Sequence, residues 1–155
     1  MKFKESKMNS RIDYKPEGFH SVNPYLTVNG AAKLLEFLKQ AFGAEEIGRY
    51  LEPSGRIAHA CVKIGDSMVE MSDSSDEWPP TPCSLHFYVP DVDAVYQRAV
   101  KAGGASLRQP EDQFYGERSA GVRDVCGNNW FIGTRIETLT KEEMDKRAAQ
   151  MAEKH

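Results

Sequence analysis

Two histidines stand in segments whose pattern predicts β-strands. His59 lies in RIAHACV, where apolar and β-branched residues predict a strand over residues 56–64. His86 shares one face of a later strand with Ser84 and Tyr88. A histidine within reach of a hydroxyl group can act as a general base. A histidine on such a face can equally be held by ordinary hydrogen bonds, so the sequence leaves both roles open for each ring.

Two further side chains can contact a ligand. Arg118, in the segment YGER, can bind an anionic group through both of its guanidinium nitrogens. The alternative is an ion pair with a carboxylate such as Glu117 or Asp124. Tyr115 precedes the same segment and can stack on a ligand at the mouth of a pocket. No Ser-His-Asp spacing, phosphate-binding loop or dinucleotide fingerprint accompanies these residues.

Composition excludes several classes of function. The chain has 155 residues, is 40% hydrophobic and carries a net charge of −3, which indicates a globular protein. Because no basic residues cluster, we expect no nucleic-acid partner. No apolar run approaches the length of roughly 20 residues that spans a membrane. Three widely spaced cysteines and the lack of a secretory signal predict a reduced, cytoplasmic protein.

The chain contains an internal repeat. Residues 21–47 and 83–107 both run from a strand through a tight turn into a helix that stops at Gly-Ala. One shift without gaps places Val28 on Val89 and Gly43 on Gly104. A shift one residue longer then matches the following strands. Two units built alike are therefore predicted, each with the order β-α-β-β-β.

The repeat divides the chain into five segments. They are a flexible arm over 1–18, a first unit over 19–74, a linker over 75–82, a second unit over 83–137 and a terminal helix over 138–155. Thr140 and Glu143 have the spacing of a capping box at the start of that helix. Its apolar stripe consists of Met144, Ala148 and Met151. We expect this stripe to dock on the body of the protein or on a second subunit.

The opening strand of each unit alternates between two faces. One face is apolar and suits packing against a helix. The other face is polar; its residues are Asn23, Tyr25 and Thr27 in the first unit and Ser84, His86 and Tyr88 in the second. Such a polar face beside apolar walls suits a small-molecule pocket, although a half-exposed sheet shows the same alternation.

Four segments carry a resemblance to a known family. They are PYLTVNGAAKLLEFLKQAFGAEE, GRIAHACVKIGDSMVEMSD, YVPDVDAVYQRAVKAGG and QFYGERSAGVRDVCGNNWFI. They resemble the vicinal-oxygen-chelate superfamily, which includes glyoxalase I, bleomycin-resistance proteins and extradiol dioxygenases, and within it the PhnB-like branch, whose AHA motif matches at His59.

The resemblance implies an α+β fold in which two tandem βαβββ units form paired cupped sheets around a cavity, with helices outside. The polar strand faces would then line the cups. Superfamily members often pair, so a homodimer is expected.

The resemblance also implies where metal ligands would stand. The family's ligand positions on the opening strands fall on Asn23 and Ser84, and the position on the last strand falls on Phe131. None of these is a usual ligand. In the first unit the count reaches Val69, with Glu70 one place further on, and a slip of one residue reverses the face of a strand. We therefore expect no metal and no other cofactor at the family's usual site.

Three functions remain open. The first is a metal-free protein that binds a small molecule in the cavity between its units. The second is a metal-dependent lyase, isomerase, epimerase or dioxygenase with a rearranged set of divalent-metal ligands, namely His59, Glu70 and His86. The third is a dimeric interaction module whose cup is filled by large aromatic side chains such as Phe131.

Overall fold

A computed structural model describes residues 11–154, so residues 1–10 of the predicted arm lie outside the described part. The chain forms eight strands and three helices in these residues. They are β1 (Tyr25–Val28), α1 (Ala31–Phe42), β2 (Glu45–Leu51), β3 (Ile57–Ile64), β4 (Ser67–Asp73), β5 (Ser84–Tyr88), α2 (Val92–Lys101), β6 (Ala105–Asp112), β7 (Glu117–Arg123), β8 (Asn129–Arg135) and α3 (Lys141–Glu153). No helix among them is both long enough and apolar enough to cross a membrane.

The strands form two four-stranded sheets with the same order, β1-β4-β3-β2 and β5-β8-β7-β6. In each sheet the opening strand runs parallel to the last strand of its unit, and the other neighbours are antiparallel. The tandem βαβββ fold predicted from the repeat is therefore confirmed. Each unit has one helix, and the helices lie outside the cups that the sheets form.

Helix α1 follows from its apolar spacing and its terminal residues. Leu34, Leu35 and Leu38 recur on one face at helical spacing and are fully buried. Gly43 ends the helix in the left-handed conformation that glycine adopts without steric cost (φ 65°). Its N-terminus lacks a side-chain cap of its own. Asp73, at the end of β4, accepts the Ala31 N–H at 2.7 Å instead.

One apolar core joins the two units. The ring of Phe42, at the end of α1, lies 5.1 Å from Phe87 and 4.9 Å from Trp130, centroid to centroid. Phe37 approaches the second unit beside Gly104, where an added Cβ would lie 3.2 Å from its ring and 2.5 Å from Val122. Glycine is therefore needed at position 104 for packing, and the preceding Gly103 has the left-handed conformation of the turn (φ 110°).

Two local expectations differ from the structure. Val22, placed on the apolar face of the first strand, is 87% exposed, because β1 begins only at Tyr25. In α3 the half-buried residues are Met144, Arg147 and Met151, whereas Ala148 is exposed. Arg147 binds both carboxylate oxygens of Glu137 in the segment before this helix, at 2.9 and 3.0 Å, and donates to the Phe114 carbonyl of the second unit at 3.2 Å. The Thr140 hydroxyl caps the helix by accepting from the Glu143 N–H.

Candidate functional site

A cavity of about 430 Å³ lies between the two units. The first unit contributes the lead-in to β1 and the turn between β3 and β4, and the second unit contributes β5 and Trp130. Asn23, His86 and Tyr88 are the predicted pocket residues that line it. The Asn23 amide also bonds to the backbone of His20 at 2.7 and 3.0 Å, which fixes the loop that forms one wall.

The cup of the second unit carries a group of polar side chains around Gly133. The Tyr88 hydroxyl donates to the Glu117 carboxylate at 2.6 Å. That bond is the main reason why the pKa of the Tyr88 phenol is raised above its usual value. The His86 ring meets the Tyr88 ring edge to face at 4.5 Å. A Cβ at Gly133 would lie 3.4 Å from the Glu117 Oε2 and 3.5 Å from the His86 Nε2, so both side chains reach over this glycine.

The cup of the first unit brings together His59 and Glu70. The His59 Nε2 lies 3.1 Å from the Glu70 Oε1, and both side chains are about one-third exposed or less. Tyr25 and Tyr50 stand on either side, with ring centroids 6.0 and 6.2 Å from the imidazole. Tyr25 also borders a second hollow that includes Thr27 and Trp78. Glu70 pairs with Tyr25 on the neighbouring strand, so the two side chains lie on the same face of the sheet, the face of the cup. Val69 lies on the opposite face and packs into the core.

The structure places Arg118 away from both cups. It shares the helix-facing side of β7 with the buried Ala120. Its guanidinium binds both oxygens of Asp93 on α2 at 2.7 and 2.9 Å, and Asp112 at 3.1 Å. This is the carboxylate pairing that the sequence left open, although with other partners than Glu117 and Asp124. The arginine lowers the pKa of Asp93 through these bonds.

The remaining predicted residues lie around the second sheet. Ser84 borders a hollow between β1 and β5 that also contains Tyr25 and His86. Phe131 pairs with His86 and packs over Gly121, where an added Cβ would be 3.4 Å from its ring. Tyr115 lies in the turn before β7, and its ring contacts Phe114 edge to face at 5.2 Å. It does not line the cavity between the units.

The described residues do not assemble the rearranged set of metal ligands that the sequence left as an alternative. Across residues 11–154, no group of three or more His, Cys, Asp or Glu side chains is placed to hold a metal ion. His59 and Glu70 are neighbours, but His86 belongs to the other sheet and joins neither of them in such a group. The proposed set His59, Glu70 and His86 is therefore not assembled within one chain.

Three residues of the cups were not predicted from the sequence as site residues. Glu117 was considered only as a partner of Arg118, and Tyr50 and Trp78 were not considered as site residues. Tyr50 pairs with His59 across the sheet, and that pairing depends on the register of β2 and β3, which alternation along one strand does not give. Trp78 lies in the loop between β4 and β5. The path of this loop could not be predicted, because its sequence has no periodic pattern.

Comparisons with known proteins agree with this architecture. A sequence model of the glyoxalase/bleomycin resistance protein/dioxygenase superfamily matches residues 18–132. An uncharacterized protein of Mycobacterium tuberculosis is 33% identical over 135 residues, covering 80% of this chain and 79% of that protein.

Two solved structures share the fold, each with a TM-score of 0.61. TnmS3, an antibiotic binding protein from Streptomyces sp. CB03234, is 23% identical and covers 75% of this chain and 95% of its own. A putative 3-demethylubiquinone-9 3-methyltransferase, PhnB protein, from Bacillus cereus is 17% identical and covers 74% of this chain and 99% of its own. On the match over residues 18–132, the chain belongs to the glyoxalase/bleomycin resistance protein/dioxygenase superfamily.

Proposed function

We propose that the protein binds a small organic molecule in the cavity between its two units, without the metal site usual in the superfamily. The observation that carries the proposal is the cavity of about 430 Å³ formed jointly by both units. Its volume is within the range of small-molecule sites. Its walls combine the apolar Leu85, Phe87 and Trp130 with the polar His86 and Asn23. Apolar walls with a few polar groups provide both affinity and orientation.

The proposal extends to the branch of the superfamily, the oligomeric state and the cellular location. The chain is a member of the PhnB-like branch, which is supported by the AHA motif at His59 and by the fold shared with a PhnB protein. It forms a homodimer, which is supported by the exposed Tyr25 and Leu51 and by the thinly packed α3. It works in the cytoplasm, which is supported by three free cysteines.

Ligand binding can be followed through Trp130. The chain has two tryptophans, so the exposed Trp78 is replaced by phenylalanine and Trp130, 3% exposed, becomes the sole reporter at the cavity wall. In a fragment library we expect compounds that raise the melting temperature, shift the Trp130 emission and move the amide signals of residues 64–69 and 85–88. A compound bound to the folded state alone must raise stability. Stabilising compounds that leave Trp130 and both segments unchanged would contradict this site.

A metal-dependent enzyme is the second candidate, because His59 and Glu70 lie 3.1 Å apart on the open face of a sheet. Two ligands from one chain can be completed by a partner subunit. Metal analysis of protein made without a histidine tag, followed by melting with Mn, Fe, Co, Ni or Zn, separates the two candidates. We expect less than about 0.1 metal per chain and no rise in melting temperature. A stoichiometric metal whose stabilising effect disappears in Glu70→Gln would favour the enzyme.

A further inference from the structure

The turn between β1 and α1 consists of the dipeptide Asn29-Gly30. It joins the strand that ends at Val28 to the helix that begins at Ala31. Asn29 is exposed, and its side chain takes part in no hydrogen bond within residues 11–154. The amide of this side chain is therefore open to chemistry with the main chain beside it.

The backbone nitrogen of Gly30 is also unengaged. Across the described residues its N–H donates to no acceptor, whereas the next N–H, that of Ala31, is held by Asp73 at 2.7 Å. Because position 30 has no Cβ, no side chain hinders the approach of this nitrogen to the Asn29 amide. Gly30 has a positive φ of 105°, so a larger residue would be strained in this turn.

The other asparagines within residues 11–154 are protected from such a reaction. Asn23 precedes a proline, whose nitrogen carries no hydrogen. The Asn128 amide is buried and donates to the Asp124 carboxylate at 3.0 Å. Asn129 accepts from an arginine side chain at 3.1 Å and is followed by a bulky tryptophan. Of these four, Asn29 alone combines an exposed, unbonded amide with a following glycine.

We propose that Asn29 is a site of spontaneous chemical modification in the folded protein. The Gly30 nitrogen loses its proton and attacks the Asn29 Cγ, and the new Cγ–N bond closes a cyclic imide. The Cγ–Nδ2 bond breaks and the amide group leaves as ammonia, so the step needs no oxidant or reductant. Water then opens the ring at either carbonyl and leaves aspartate or isoaspartate at position 29. The reaction involves neither the cups nor the cavity, so the proposal is independent of the function proposed above.

Isoaspartate at this position alters the joint between the two units. It adds a methylene group to the main chain and turns the former Asn29 carbonyl into a carboxylate. In the native protein the carbonyls of Asn29 and Gly30 accept from the Cys126 thiol of the second unit at 3.7 and 3.5 Å. The Gly30 carbonyl also accepts the first N–H of the helical pattern, that of Leu34, at 3.2 Å. A lengthened main chain cannot keep all of these contacts, so the isoaspartyl protein is less stable.

Aspartate, the other product, has a different effect. It keeps the native main chain and therefore the positions of both carbonyls. Its negative charge lies beside the N-terminus of α1, where the helix dipole favours an anion. The two products of one reaction thus differ in their consequence for stability.

Peptide mapping by mass spectrometry tests the site. The full chain and a synthetic peptide of residues 26–33 are incubated side by side under mildly alkaline conditions. We expect the exchange of NH2 for OH at Asn29 to be at least about tenfold faster than at Asn23, Asn128 or Asn129. The rate at Asn29 in the full chain should stay within about tenfold of the rate in the peptide, since neither reacting group has a hydrogen bond to break. An isoaspartyl methyltransferase should label the product in both samples.

Two variants complete the test. Asn29→Gln keeps an amide but would have to close a larger ring, so it should gain no methyl label over the same period. Asn29→Asp introduces the charge without the added methylene group. It should melt within about 1 °C of the native chain, whereas the isoaspartyl chain, isolated by chromatography, should melt about 3 °C lower or more.

The modification site would be overturned by either of two results. One is a rate at Asn29 more than about tenfold below that of the peptide, and the other is faster modification at Asn23, Asn128 or Asn129. An isoaspartyl chain that melts together with Asn29→Asp would overturn the loss of stability, because the contacts of this turn would then not hold the joint.

Discussion

Replacing Phe42 with alanine is expected to lower the free energy of unfolding by about 3–5 kcal/mol. Phe42 is 8% exposed and its ring contacts Phe37 of its own helix and both Phe87 and Trp130 of the second unit. Removing the ring deletes buried apolar surface and leaves a cavity that close-packed neighbours fill only in part. The loss falls at the junction of the two repeats, so both units should be affected.

Urea denaturation followed by two probes measures this effect. Far-ultraviolet circular dichroism reports both units, and Trp130 fluorescence in a Trp78→Phe background reports the junction. Because one continuous core joins the units, we expect the two transitions to coincide in the native chain. Val100→Ala, at a position 40% exposed on α2, is the control and should change stability by about 0.5 kcal/mol or less. The loss expected for a buried ring is large. If the free energy of unfolding of Phe42→Ala were within about 1 kcal/mol of that of the native chain, the units would not depend on this contact.

The fold was predictable because the two units repeat their patterns. Helical spacing with Gly43 after it identified α1, and Asp91 identified the start of α2, where it accepts the Ala94 N–H at 3.2 Å. The bounds of β1 were less predictable. Val22 continues the apolar alternation, but Pro24 cannot donate a backbone hydrogen bond to a ladder, and β1 begins after it.

The site was predictable only where a single strand determines it. Alternation placed Tyr25, Ser84, His86 and Tyr88 on open faces, and the structure has them there. Contacts between strands were not accessible in this way, since they depend on register. The hydrogen bond between Tyr88 and Glu117 joins two strands, and these residues are 29 positions apart in the sequence. The contact between His59 and Glu70 depends on the pairing of β3 and β4. Arg118 shows the same limit, because its side of β7 could not be assigned before the register was known.

Asp124 is expected to be the most sensitive polar residue of the second unit. It is 5% exposed, and its carboxylate accepts from the backbone N–H groups of Cys126 and Asn128 at 2.8 and 3.0 Å. It also accepts from the Asn128 amide at 3.0 Å and from the Trp130 indole at 2.9 Å. Asn128 in turn accepts the Cys83 N–H, which ties the turn to the start of β5. One carboxylate thus holds together the turn, the last strand and a wall of the cavity.

Asp124→Ala should cost about 3 kcal/mol or more, because it leaves several buried donors without acceptors, each at roughly 1–3 kcal/mol before relaxation. Asp124→Asn should cost less, since it keeps one acceptor oxygen. Asp66→Ala provides the matched control, since Asp66 lies in the corresponding turn of the first unit and is exposed, and its carboxylate accepts one side-chain hydrogen bond within residues 11–154, from the Ser67 hydroxyl. We expect that control to change stability by about 0.5 kcal/mol or less. If urea denaturation gave similar small losses for Asp124→Ala and Asp66→Ala, the buried network would not be what fixes Trp130 at the cavity wall.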